Sequence, residues 1–273
     1  MTVAPAKFVS NLALTAVALL FLAPLVWLIT SSFDTDGAFA AQPADRITLT
    51  NFGEVLKWDI AGRPLINGLE ISGGATAITV IVAILAAYPL SRNQLRFGRS
   101  FLYAVLFTTG LPVTAVMVPV FGLFVRMKLL DSITGTTLFL AATSLPMAIW
   151  MTKNFLDDVP IDLEKAAWVD GATATQTLRR IVLPLVVPGI SVVAVLTFTA
   201  TWGNFFVPFT LLLDPDKQPA SVTILSFFRE HGAVAYGQLA AYSIVYTTPA
   251  VVLYLLVSRT LGSGFISAGA VKA

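Results

Sequence analysis

Six long apolar stretches constrain this chain more than any other feature. They run near Phe8–Ile29, Gly73–Leu90, Phe101–Val125, Ile133–Met151, Leu185–Leu213 and Leu239–Val257. A helix of about 20 apolar residues crosses the hydrocarbon core of a bilayer. Leu185–Leu213 exceeds what a perpendicular crossing needs, which predicts tilt or a kink. Only 12% of the 273 residues are charged, against roughly a quarter in soluble domains. That leaves too little polar surface to cover a water-exposed globule, so lipid is the outer solvent. The expected fold is all-α: a polytopic membrane helix bundle of six transmembrane helices forming one domain over residues 1–273.

Lys7 ahead of the first apolar run imitates a secretory signal, and Ala38-Phe39-Ala40 imitates its cleavage site. The apolar run is longer than the 7–15 residues of a signal core, which predicts a retained first helix. Basic residues orient the bundle. With both termini inside, cytoplasmic segments carry Lys7, Arg92, Arg96, Arg99, Lys153, Lys165, Arg179, Arg180, Arg259 and Lys272. Arg126 and Lys128 vote the other way from a short external turn. The external segments 31–67 and 214–238 are long enough either to connect or to dock a partner. Prolines at 89, 112, 119, 146, 188, 208 and 249 punctuate the spans. Carbonyls freed at such kinks must be satisfied by neighbours or by water in a cavity, a pattern more typical of transporters than of rigid anchors.

Several chemistries are excluded. The chain has no cysteine, which removes disulfides, thiolate catalysis and cysteine-ligated metals. One histidine, His231 in a polar stretch, builds no catalytic pair. No G-x-x-x-x-G-K-[ST] phosphate loop occurs, so the chain hydrolyses no nucleotide by that chemistry. A net charge of +2 without a basic run gives no support for nucleic-acid binding. No cofactor or metal is expected on the chain itself.

The segment 153–184 has unusual order. Pro160 and Asp162 suit a helix start, because the lost N–H is harmless there and a carboxylate meets the positive end of the dipole. Gly171 suits a left-handed stop. Thr173-Ala174-Thr175-Gln176 reads as a capping box opening a second helix, which carries Leu178, Ile181 and Val182 up to Pro184. The prediction is a helix–turn–helix on the cytoplasmic face, continuous with the fifth span.

This run resembles the cytoplasmic loop of binding-protein-dependent ABC importer permeases, E-A-A-x3-G-x9-I-x-L-P. Ala166, Ala167, Gly171, Ile181, Leu183 and Pro184 fall in register. Lys165 stands where the pattern has its glutamate, and Glu164 precedes it. One position is about 100° around a helix, so the glutamate's contacts do not carry over to Glu164 directly. Thr199–Pro208, with Trp202, Gly203 and Asn204, looks like the fifth-span Trp-Asn-aromatic-Pro stretch of the carbohydrate branch, which includes the smaller membrane subunit of the maltose transporter. The tail Ser267–Ala273 resembles the small-residue end of that group.

The resemblance implies a coupling helix between the fourth and fifth spans that sits in a cleft of a separate ATPase, which binds the ATP and Mg. Glu164, Ala166, Ala167, Asp170 and Gly171 would serve that contact, with Ile181, Leu183 and Pro184 anchoring the loop to the fifth span. It implies a second permease subunit, an ABC ATPase dimer and an extracytoplasmic solute-binding protein as partners, in a bacterial inner membrane. For the solute path, Thr197, Thr201, Trp202 and Asn204 are polar or aromatic groups within a span, where such groups face the bundle or a cavity. Thr143 and Ser144 before Pro146 are weaker candidates. The alternatives are an ion-coupled carrier, or a permease for a polyol, glycerol phosphodiester or polyamine. An ion-coupled carrier usually shows interior charge, and the six stretches show none, with Glu70 close before the second.

Overall fold

The computed structural model describes residues 5–34, 47–93, 96–228 and 235–269. His231, the Ala38–Ala40 triplet and the tail from Ala270 onward lie outside them. The helices are α1 (Pro5–Ser32), α2 (Thr50–Val55), α3 (Arg63–Arg92), α4 (Gly98–Thr108), α5 (Val113–Arg126) and α6 (Ile133–Asp157). They continue with α7 (Ile161–Val169), α8 (Ala174–Thr177), α9 (Leu183–Trp202), α10 (Phe206–Leu211), α11 (Ala220–Thr223) and α12 (Tyr236–Gly269). Strand structure among the described residues amounts to one isolated bridge, Asp34 to Ile47. The all-α expectation holds.

Among the described residues, five helical segments are long and apolar enough to cross a membrane: Val9–Ser32, Trp58–Arg92, Ile133–Asp157, Ala174–Trp202 and Tyr236–Ser258. The third expected span is not one straight helix. Ser100–Thr108 and Val113–Arg126 meet at 87°, because Pro112 cannot continue α4 and instead sets the extended backbone from which α5 starts. The long fifth stretch also breaks. Alpha9 ends at Trp202, and α10 starts separately four residues later.

Two spans begin alike. Each carries a π-turn near its start, Trp58–Gly62 or Leu178–Val182, and a proline, Pro64 or Pro184, stands two residues after it. A proline ring clashes with the carbonyl four residues back and offers it no N–H, so the ladder widens. The Arg63 and Leu183 amides instead reach Trp58 O and Leu178 O, five residues back. The second span therefore starts well before Gly73, and Glu70 lies on α3, exposed.

The chain divides into two compact units. Met1–Arg63 with Thr223–Thr248 form one; Pro64–Val222 with Pro249–Ala273 form the other. In the first, the Asn51 side-chain amide donates to the Ser32 and Asp34 carbonyls at 3.1 and 2.8 Å, tying α2 to the end of α1. The most apolar window of α1 has no buried residue, as a lipid-facing helix requires.

The second unit holds the core. Gly68, Ser72, Ala75, Thr79, Ala83 and Ala87 recur at three- and four-residue spacing on α3, and all are buried. Lipid supplies no hydrophobic drive between helices, so close approach of small residues and interhelical hydrogen bonds hold such bundles together. Thr79 accordingly donates to Ala141 O of α6 at 3.2 Å. One cluster joins Ala83, Ala87, Ala148, Ile149, Leu156, Val182, Val186 and Val193; another joins Ile71, Ala75, Met117, Leu140, Val207 and Leu211.

On the segment following α10, a clasp forms around Asp131, whose φ of 60° places it in the left-handed region that Asp tolerates. Its carboxylate accepts from the Leu213 and Asp214 amides, both at 3.0 Å, and from Lys217 Nζ at 2.7 Å. The Lys217 hydrogen bond, then the Asp214 amide, hold the Asp131 carboxyl below its ordinary 3.8. The same bond pushes the Lys217 amine above 10.5. A depressed carboxyl stabilises the fold above its ordinary value and loses that contribution as pH falls through the depressed one; a raised amine does so below its ordinary value and loses it as pH rises through the raised one. Exchange protection of the Leu213 and Asp214 amides is thus expected to stay level between about pH 5 and pH 10 and to fall in acid below 3.8. In Asp131→Asn it should be lower and level across the acid range.

Candidate functional site

The segment 153–184 folds as its local residues dictate. Pro160 stands before α7 with Asp162 and Glu164 in the first turn. Gly171 has φ of +85°, which a side chain tolerates poorly, and nothing crowds it. The reason for glycine here is backbone conformation alone. Thr173 Oγ1 accepts from the Gln176 amide at 3.3 Å, and Gln176 Oε1 accepts from the Thr173 amide at 2.9 Å, completing the capping box.

Alpha7 has two faces. Lys165, Ala166, Trp168, Val169 and Asp170 are exposed, Val169 at 87%. Ile161, Leu163, Trp168 and Val169 leave an apolar patch uncovered on this helix. The inward face carries Ala167 and Glu164. Of the residues expected at a partner contact, Ala166, Asp170 and Gly171 are free to make one. Ala167 is taken up inside the chain. Ile181 and Leu183 are half-buried, and Pro184 is exposed at the start of α9.

Glu164 is fully buried and both its oxygens are used. Arg92 Nε donates to Oε1 at 2.5 Å and the Tyr88 hydroxyl donates to Oε2 at 2.7 Å. Arg92 Nη2 also donates to Val159 O at 3.2 Å, and Ser91, next to it, donates to Asp157 at 2.6 Å. This joint was not anticipated from the sequence. Its one signal was Tyr88 and Arg92, four residues apart at the end of an apolar span and so on one helix face.

Nearby, the Thr177 hydroxyl is buried with no hydrogen-bond partner among the described residues. An unsatisfied buried hydroxyl costs about 1–3 kcal/mol. Thr177→Val, equal in shape, is expected to leave thermal stability unchanged or raise it by about 1 kcal/mol, measured by melting of the purified protein in detergent.

A cavity of about 760 Å³ opens where the broken α4–α5 pair faces α6 and α9. Irregular backbone at membrane depth persists only where protein buries it or a wet cavity borders it, which fits the break at Thr109–Pro112. Thr108, Thr109, Thr143, Ser144 and Thr197 supply hydroxyls among apolar walls such as Leu111, Met147 and Leu196. Thr108 and Thr109 donate to Val105 O and Leu106 O, and Thr143 and Ser144 both donate to Leu140 O, at 2.6–3.0 Å. With their protons committed to the backbone, these four oxygens present lone pairs. Pro146 has no N–H, so the carbonyl of Ala142, another lining residue, loses its helical donor. The described lining residues include no charged side chain.

Of the four residues expected on a solute path, only Thr197 borders this cavity. Thr201 is buried, donating to Thr197 O at 2.9 Å. Trp202 is 5% exposed, stacked on Phe198 at 5.6 Å, with its ring pressed over Gly68. Its stacking face is occupied by the chain itself. Asn204 Oδ1 accepts from the Val207 amide at 3.0 Å and so starts α10. Thr108 and Thr109 were missed, because only the 87° bend turns them toward α6 and α9.

Residues 79–262 match the family described as the binding-protein-dependent transport system inner membrane component. The trehalose transport system permease protein SugB of Mycobacterium tuberculosis is 31% identical over 92% of this chain and 92% of its own length. The trehalose/maltose transport system permease protein MalG of Thermococcus litoralis is 30% identical over 93% of each. Among solved structures, a bacterial ABC transporter involved in importing the acidic polysaccharide alginate superposes with a TM-score of 0.82, at 20% identity, covering 95% of this chain and 98% of that one. A multi-helix membrane chain with this loop and this broken span, matched over two thirds of its length by one family, belongs to the inner-membrane components of binding-protein-dependent transport systems.

Proposed function

We propose that this chain forms one membrane-spanning half of an ATP-driven importer for an uncharged, polyhydroxylated solute of the sugar type. The carrying observation is the cavity wall: acceptor oxygens and a freed carbonyl, with no charged side chain among its described residues. Such a wall suits a solute rich in O–H donors and gives nothing to neutralise a phosphodiester or polyamine. A carrier driven by an ion gradient usually shows charged groups inside its spans, and the described lining residues include none. The names of SugB and MalG point to the same solute class.

The same reading names the partners. The exposed face of α7, with Ala166, Trp168, Val169 and Gly171, docks on an ABC ATPase subunit, which binds the nucleotide and Mg. A homologous second permease closes the other side of the path, and an extracytoplasmic binding protein delivers the solute. Arg92, Arg96, Lys153, Lys165, Arg179 and Arg180 flank this end of the spans, which supports a cytoplasmic placement with both termini inside.

The test is purification in mild detergent and reconstitution in liposomes with the co-purifying subunits and binding protein. Ala166→Trp is expected to lose the ATPase while keeping the second permease. Thr143→Val with Ser144→Ala is expected to keep the ATPase and raise the half-saturating solute concentration. Each lost hydrogen bond is worth about 0.5–1.5 kcal/mol, roughly two- to twelvefold. A chain that purifies alone, or transport indifferent to both sets of substitutions, overturns the reading.

A further inference from the structure

Alpha7 is joined covalently to α6 through Asp158–Pro160 and to α9 through α8. Its tie to α3 is made by side chains. Glu164, from its fully buried position, spends one oxygen on Arg92 and the other on Tyr88. Arg92 is itself 9% exposed and also holds Val159 O, the residue just before α7's proline. Ser91 and Asp157 bond beside it, and Lys153 pairs with Asp157. The α3 end of this joint therefore grips both the start of α7 and the end of α6.

The other end of α3 is equally committed. The Asn67 side-chain amide donates to Asp216 O at 2.8 Å and Gln218 O at 3.2 Å, the segment that Asp131 clasps. A 30-residue helix thus holds the surface helix at one end and the 212–218 segment at the other. Burying an ion pair is a poor way to gain stability, since apolar residues of like volume do as well or better. What it does supply is a fixed geometry that resists sliding.

We infer that Tyr88, Arg92 and Glu164 are positioning residues that lock α7 to α3, so that displacement of α7 by the ATPase moves α3 as the same body and reaches the 212–218 segment. The inference rests on the importer reading above. Glu164 acts within the chain, and the outward Lys165 and Ala166 are left to the partner.

The test uses the assembled complex in liposomes. The chain has no cysteine, so spin labels go on Asp162→Cys and Leu85→Cys, both at exposed positions, and their separation is read by pulsed electron resonance with and without ATP. Leu85 precedes Pro89, so a hinge at that proline would also register. The separation is expected to change by no more than about 2 Å, the scale of a packed helix shift, while Asp162→Cys paired with Val118→Cys on α5 changes more. Glu164→Gln in the same complex should broaden the α7–α3 distances and raise the ATP consumed per solute imported severalfold, with ATPase association retained. If Glu164→Gln fails to assemble, Arg92→Met with Glu164→Leu replaces it. An α7–α3 separation that changes as much as the α7–α5 one, or wild-type ATP cost in the substituted complex, overturns the joint. Failure of the unsubstituted complex to hydrolyse ATP on adding loaded binding protein would instead overturn the importer reading.

Discussion

Gly189→Leu is expected to abolish correct packing of α6 on α9 and with it the yield of folded protein. Even a methyl at Gly189 would stand closer to Phe155 Cγ than real Cβ contacts come. Alpha6 and α9 make the most extensive helix pair in the second unit, and Phe155 packs against the cluster of Ala148, Leu156, Val186 and Val193. Overpacking a tight core costs about 1–3 kcal/mol, occasionally more, and leucine carries three more carbons into the clash than alanine. Gly189→Ala should be milder, because Phe155 is a half-buried side chain that can turn away. Phe155→Ala should rescue Gly189→Leu in part by vacating the volume. The measurement is the fraction of monodisperse protein recovered in detergent, with its melting temperature. Recovery of Gly189→Leu at the unsubstituted level would show that the helices separate at this crossing at little cost.

Arg92→Met is expected to be the most damaging substitution at the α7 end of α3. It leaves the Glu164 carboxylate buried with only Tyr88 for company. Removing one partner of a buried ion pair costs about 3–5 kcal/mol. Glu164→Leu alone should cost a similar amount, since it strands the guanidinium instead. The two together should cost much less than the sum, because neither charge is then left uncompensated. Melting of the four proteins in one detergent gives the coupling energy directly. An additive pair of effects would mean that water reaches the joint and that the pair is effectively a surface one.

The sequence determined the parts of this protein that depend on short-range physics. Hydropathy and length located the membrane segments, because a bilayer imposes a fixed apolar length on every span. Pro160, Gly171 and the Thr173–Gln176 box marked the turns of the 153–184 loop, since caps and left-handed residues act on their own backbone within a few residues. The register of Ala166, Gly171 and Leu183 carried the family. Tertiary structure decided the rest. Glu164 and Arg92 are 72 residues apart, and nothing local says that this carboxylate turns inward while Lys165 turns out. Trp202 reads as a stacking platform until Phe198 and Gly68 are seen to occupy it. The cavity exists because one expected span breaks at Pro112 and brings Thr108 and Thr109 across to Thr143 and Thr197. Such a wall draws on four helices, and which side chains face each other depends on how helices cross, a property that no single stretch of chain contains.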